Sequence, residues 1–123
     1  MAQNFTVAGN VQIPLEDTGS PAPISLAISF PYVPRADFSR KYDGAITDDP
    51  VNLGTMATGG GAKGVLVKCT AGTCTVKFNG GSDAWPLAAG AGYFLWINSS
   101  QGFLTSALVT TTGSATVVFI AVG

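Results

Sequence analysis

Residues 64–78 read Gly64-Val65-Leu66-Val67-Lys68-Cys69-Thr70-Ala71-Gly72-Thr73-Cys74-Thr75-Val76-Lys77-Phe78, two alternating segments parted by Ala71-Gly72. Alternation over four to eight residues is the mark of a half-buried strand. A two-residue turn at Ala71-Gly72 sets Cys69 opposite Cys74, Val67 opposite Val76 and Val65 opposite Phe78 on one apolar face. Lys68–Thr75 and Leu66–Lys77 then pair on the other face. A slip of one residue mixes the faces, so the pattern favours this register. Ala-Gly is not the preferred two-residue hairpin turn, and a three-residue loop with Gly72 in a bulge misaligns the cysteines. Opposed cysteines in a non-hydrogen-bonded pair lie close enough to bridge. Cys69 and Cys74 therefore read as a buried thiol pair or a cross-strand disulfide, ahead of redox or metal chemistry. Two sulfurs without any histidine make a poor zinc site.

Further strands are expected at Ala84–Leu87, Gly92–Asn98, Phe103–Val109 and Ala115–Val122, at the close spacing of a sandwich or barrel. Upstream, Ile24, Leu26, Ile28 and Phe30 alternate with Ser25, Ala27 and Ser29, another half-buried strand. Residues 3–13 look extended, with Pro14 ending them and a loop from Glu16 to Pro21. Residues 31–63 break the pattern through Pro31, Pro34, Pro50, Asp43-Gly44 and Gly59-Gly60-Gly61. At most short strands are expected there, near Ala45–Thr47 and Val51–Leu53. The sequence thus predicts an all-β, single-domain β-sandwich over residues 1–123, jelly-roll-like, with an extended N-terminal arm (1–13) and a long loop region (31–63).

From Ala84 to Gly123 there is no Lys, Arg, Asp, Glu or His. The whole chain is 46% hydrophobic and 11% charged, which excludes disorder, and its net charge of −1 gives no long-range pull on nucleic acid or anionic lipid. The strands at Gly92–Asn98 and Ala115–Val122 are apolar on both parities, so both faces need cover. Trp96 is expected to be buried, and the second cover is expected to be a neighbouring subunit, in a trimer first and a dimer second. No signal-peptide pattern opens the sequence, and no apolar run reaches the length of a spanning helix. The sequons at Asn4 and Asn98 are read as chance.

Candidate chemistry is sparse. Thr58-Gly59-Gly60-Gly61-Ala62-Lys63-Gly64 departs from a phosphate loop: Ala62 precedes the lysine, Gly64 follows it, and a strand comes next. A flexible linker is the expectation there. Asp43, Asp48 and Asp49 match no calcium motif and read as turn formers. Tyr32, Arg35, Phe38, Arg40, Lys41 and Tyr42 mix aromatic and basic groups, which favours protein–protein contact because nearby aspartates cancel the charge. With no His and only Glu16 as a glutamate, no catalytic constellation, metal site or cofactor is expected.

The stretch Asp43-Gly44-Ala45-Ile46-Thr47-Asp48-Asp49-Pro50-Val51-Asn52-Leu53-Gly54, the glycine run, Tyr93-Phe94-Leu95-Trp96-Ile97-Asn98 and Ser114-Ala115-Thr116-Val117-Val118-Phe119 together resemble the small β-rich structural proteins of tailed-phage virions. More narrowly, the chain is similar to capsid decoration (cement) proteins. The resemblance implies a jelly-roll-like, oligomeric, non-enzymatic protein, made in the host cytoplasm, that braces major capsid subunits from the outside of the virion. Residues 1–13 and 31–63 would then reach the neighbours. The rival expectation is a carbohydrate-binding module or a receptor-binding fibre or tail component, with Trp85, Trp96, Tyr93 or Tyr42 stacking on sugars.

Overall fold

The computed structural model describes residues 3–11, 24–32 and 35–123. The chain divides into two compact units, Met1–Tyr32 and Val33–Gly123. The loop expected from Glu16 to Pro21 and the end of the arm at Ile13 lie outside the described residues.

In the first unit, β1 (Gln3–Val11) pairs antiparallel with β2 (Ile24–Tyr32), from Gln3 opposite Tyr32 to Val11 opposite Ile24. Residues 3–11 are extended, as expected of an arm, but as half of a hairpin. The register follows the pattern: Phe5 faces Phe30, Val7 faces Ile28, and Thr6 faces Ser29 with its hydroxyl 2.9 Å from the serine's.

The second unit holds β3 (Arg35–Tyr42), β4 (Ile46–Pro50), β5 (Gly64–Ala71), β6 (Thr73–Phe78), β7 (Trp85–Ala88), β8 (Tyr93–Ile97), β9 (Ala107–Thr111) and β10 (Ala115–Val122). They form two four-stranded sheets, β3-β10-β5-β8 and β4-β9-β6-β7, in which every pairing is antiparallel. Pairing is nested: β3 with β10, β4 with β9, β5 with β8 and β6 with β7, like one long hairpin rolled up. The all-β sandwich read from the sequence is what the chain forms.

Alternation drives it. Val65, Val67 and Cys69 of β5 and Val117, Phe119 and Ala121 of β10 face inward against Cys74, Val76 and Phe78 of β6 and Ala107 and Val109 of β9. Hydrophobic burial at each inward position supplies the main stabilisation.

Two expectations change. Segments 64–71 and 73–78 are strands, but they belong to different sheets, so their apolar residues meet across the core and not along a ladder. Gly72 makes this corner possible: its φ is +70°, and a Cβ there would run into the Ser114 carbonyl oxygen. Residues 31–63 are also more regular than a long loop. They carry the edge strands β3 and β4 and a 3-10 turn at Gly54–Ala57 that buries Leu53 and Met56. The glycine run is no loose linker. The Gly61 N–H donates to the Met56 carbonyl (3.1 Å), Ala62 exchanges backbone bonds with Leu104 and Phe103 (both 2.8 Å), and a Cβ on Gly102 would collide with the Gly60 and Gly61 carbonyls.

Candidate protein-interaction surface

Among the residues expected to form an interface, the structure turns Phe38 and Tyr42 inward and ties the half-exposed Arg40 to Asp49. Phe38 on β3 is half-buried and stacks on Phe119, with ring centroids 5.6 Å apart and planes 12° apart. The Arg40 guanidinium lies 4.9 Å from the Phe38 ring centre and 6.0 Å from that of Tyr42, a cation–π arrangement. One oxygen of Asp49 on β4 accepts from both Arg40 (2.7 Å) and the buried Tyr42 hydroxyl (2.8 Å). Hydrogen bonding to Tyr42 first holds the Arg40 pKa above its ordinary value, against the opposing effect of burial and with the help of the bond to Asp49. Burial, and then the bond to Asp49, pushes the Tyr42 hydroxyl up. The group clamps the edge strand of one sheet to the edge strand of the other. Lys41 is exposed, 3.7 Å from Asp43. Tyr32 closes β2 opposite Gln3, and Arg35 opens β3 opposite Val122.

The other candidates are engaged in structure. Asp48, at φ +51°, accepts from Thr110 (3.3 Å) and Lys77 (3.4 Å). Among the described residues, no three Asp, Glu or Cys side chains gather as a metal site would require. Asn98 folds its own loop: its Oδ1 accepts from the Ser100 N–H (3.0 Å) and hydroxyl (2.9 Å) and the Gln101 N–H (3.2 Å). Cys69 and Cys74 are buried free thiols with Sγ atoms 3.7 Å apart. Burial, and then the neighbouring Cys69, pushes Cys74 up to about 12, which keeps that thiol protonated at neutral pH.

What the chain does expose is apolar. Tyr93 is 68% exposed, Trp85 51%, Leu95 45% and Trp96 36%. The buried Trp96 expected from the sequence is overturned, because β8 is the edge strand of its sheet and leaves that ring at the rim. These residues make two contiguous features. On the outer face of sheet β3-β10-β5-β8, Ile120, Leu66 and Leu95 form one row across three strands, and Val118, Lys68 and Tyr93 form the next. Lys68 is the sole charge among these six residues; on β3 the first row continues at Asp37 and the second at Ser39. Between the edge strands β7 and β8, Trp85 and Trp96 cap a ring cluster. Phe94 lies 4.3 Å from Phe78 and 6.3 Å from Trp85, and Phe103 lies 4.9 Å from Trp96.

The signal for the outer face was in the sequence, as strands apolar on both parities. Which strand lay at an edge was not. The outer face of the other sheet has a depression of about 320 Å³ lined by Thr73, Thr75, Pro86, Ala88, Thr110 and Thr112, with the buried Cys74 the one ionisable side chain in its lining. Among the described residues, no helix is long and apolar enough to cross a membrane. No protein family, curated protein or solved structure matches the chain.

Proposed function

We propose that the protein is a non-enzymatic structural protein of a virion, one that decorates the outer capsid as a homo-oligomer and stabilises it by bridging major capsid subunits. The observation that carries this reading is the outer sheet face, where Ile120, Leu66, Leu95, Val118 and Tyr93 lie side by side, with Lys68 between them and Asp37 opposite Ile120 at the β3 end of the row. Contiguous apolar surface of this kind marks protein–protein contact. The nested pairing of eight antiparallel strands supports a jelly-roll topology, an architecture used in viral capsids and also in lectins. Fold alone does not assign function, so the weight rests on the face. Docking through Arg40 and Tyr42 is replaced in this reading, since both are tied to Asp49. Lys41 at the surface remains available to neighbours.

A ligand that binds only the assembled shell stabilises it by mass action. Purified protein added to stripped particles is therefore expected to bind saturably and to raise the temperature at which they burst. Replacing Leu66 and Tyr93 together by Ser should leave a folded chain that decorates at least ~10-fold more weakly, the loss of two interface anchors. Equal decoration by the variant, or stripped particles as robust as decorated ones, overturns the reading.

A carbohydrate-binding or receptor-binding role is the second reading, favoured by the exposure of Trp85, Trp96 and Tyr93. Sugar sites pair an aromatic platform with free hydrogen-bonding groups. Here the Asn79 amide beside Phe103 is already committed, donating to the Phe103 carbonyl and accepting from Thr105 and Ser106. Quenching of tryptophan fluorescence by a glycan, abolished by Trp85→Ala, would favour this reading over the first.

A further inference from the structure

A sandwich has four edges, and here β3, β4, β7 and β8 occupy them. Unpaired edges invite pairing with other chains, and proteins blunt them with charges, proline, bulges or short length. Three of the four carry such devices. β3 holds Arg35, Asp37, Arg40 and Lys41. β4 holds Asp48, Asp49 and Pro50, with a register shift between Ile46 and Asp49. β7 has four residues, one of them Pro86. β8, Tyr93-Phe94-Leu95-Trp96-Ile97, has no charge, no proline and no bulge, and four of its five residues are of high β-propensity.

The backbone of β8 fixes how a partner strand would meet it. Asn98 donates its N–H to the Lys63 carbonyl (2.9 Å), in register with the β5–β8 ladder. In an antiparallel ladder alternate residues turn their N–H and C=O to opposite sides. Phe94 and Trp96 therefore direct theirs to β5, and Tyr93, Leu95 and Ile97 direct theirs to the free edge. Those three groups are symmetric about Leu95. So are the side chains: with Leu95 on a two-fold axis, Tyr93 meets Ile97 of the partner subunit and Phe94 meets Trp96 of the partner subunit. Aromatic–β-branched and aromatic–aromatic pairs are favourable cross-strand neighbours.

We propose that a second copy of this chain occupies the β8 edge, pairing antiparallel across a two-fold axis at Leu95 to join two four-stranded sheets into one. Every outward N–H and C=O of β8 is then bonded, and no charge meets a like charge. The apolar rows of the outer face run on across the axis, which doubles the surface assigned above to capsid contact. The pairing does not depend on that assignment. A dimer that fails to bind particles removes the capsid reading and leaves this one, and a monomer that binds them does the reverse.

The test is analytical ultracentrifugation of the full chain across the micromolar range, with two variants. Wild type is expected to be a dimer. Leu95→Lys sets two ammonium groups against each other on the axis and should weaken association ~10-fold or more, with Tm kept within about 3 °C because the residue is a surface one. In Leu95→Cys, the paired residues would face each other in a hydrogen-bonded pair with Cα atoms about 5.5 Å apart, so a short bis-maleimide should join them in a covalent dimer. The exposed control Lys41→Cys should not cross-link. A monomer, a trimer, a dimer indifferent to Leu95→Lys, or Leu95→Cys chains that stay unlinked overturn the proposal. So does a β8 edge filled by a different protein.

Discussion

Arg40, Tyr42 and Asp49 show how residue chemistry depends on its surroundings. The same basic and aromatic side chains that read as an interface are consumed by an internal clamp, because a single carboxylate oxygen on β4 accepts from both. Tyr42→Phe deletes one charge-assisted hydrogen bond and should cost about 1.5 kcal/mol by denaturant unfolding. It should also change the alkaline limb. The folded chain holds the Tyr42 proton beyond the ordinary 10.0, so above that pH the unfolded chain loses a proton that the folded one keeps. Stability should fall as pH climbs from about 10 through the folded pKa, and the variant should lack that increment. Cys74 follows the same sign between 9.0 and about 12. With its thiolate suppressed at pH 8 and both sulfurs buried, neither cysteine should react with a disulfide reagent until the protein unfolds. Rapid titration of either native thiol would contradict this account.

Elements are decided by corners and edges. The β5–β6 corner turns from one sheet to the other at Gly72, where positive φ and the Ser114 carbonyl both exclude a side chain. Gly72→Ala should therefore cost at least about 2 kcal/mol, combining left-handed strain with displacement of backbone. Gly80→Ala, also at positive φ but with open space around it, should cost less. At the β7–β8 rim, Phe94→Ala removes the ring that touches Phe78 and should destabilise by about 2–3 kcal/mol, toward the low end for a half-buried phenylalanine. Tyr93→Ser, fully on the surface, should stay within about 0.5 kcal/mol. Thermal unfolding of the four variants separates these cases, and a Tyr93→Ser loss as large as that of Phe94→Ala would place Tyr93 in the core.

At the scale of the whole molecule, all nested pairings fall between Arg35 and Val122, so residues 33–123 expressed alone should unfold cooperatively. The described residues of the first unit form a two-stranded antiparallel pair, a structure marginal in water, and residues 1–32 alone should show no cooperative transition. Far-UV circular dichroism during heating checks both. By itself, the sequence determined most of the strands from Gly64 onward and which side of each faces inward, with Val65, Val67, Val76, Val109, Val117 and Phe119 standing where period-two alternation puts them, but it read β3 as part of a loop. It also determined that β8 and β10 would be apolar on both sides. Only the tertiary structure decided that β5 and β6 part into different sheets, that β8 lies at an edge with Trp96 exposed, and that Arg40 and Tyr42 spend themselves on Asp49. The physical reason is range. Alternation is a local property of consecutive residues, whereas sheet membership, edge position and hydrogen-bond partners depend on segments tens of residues apart.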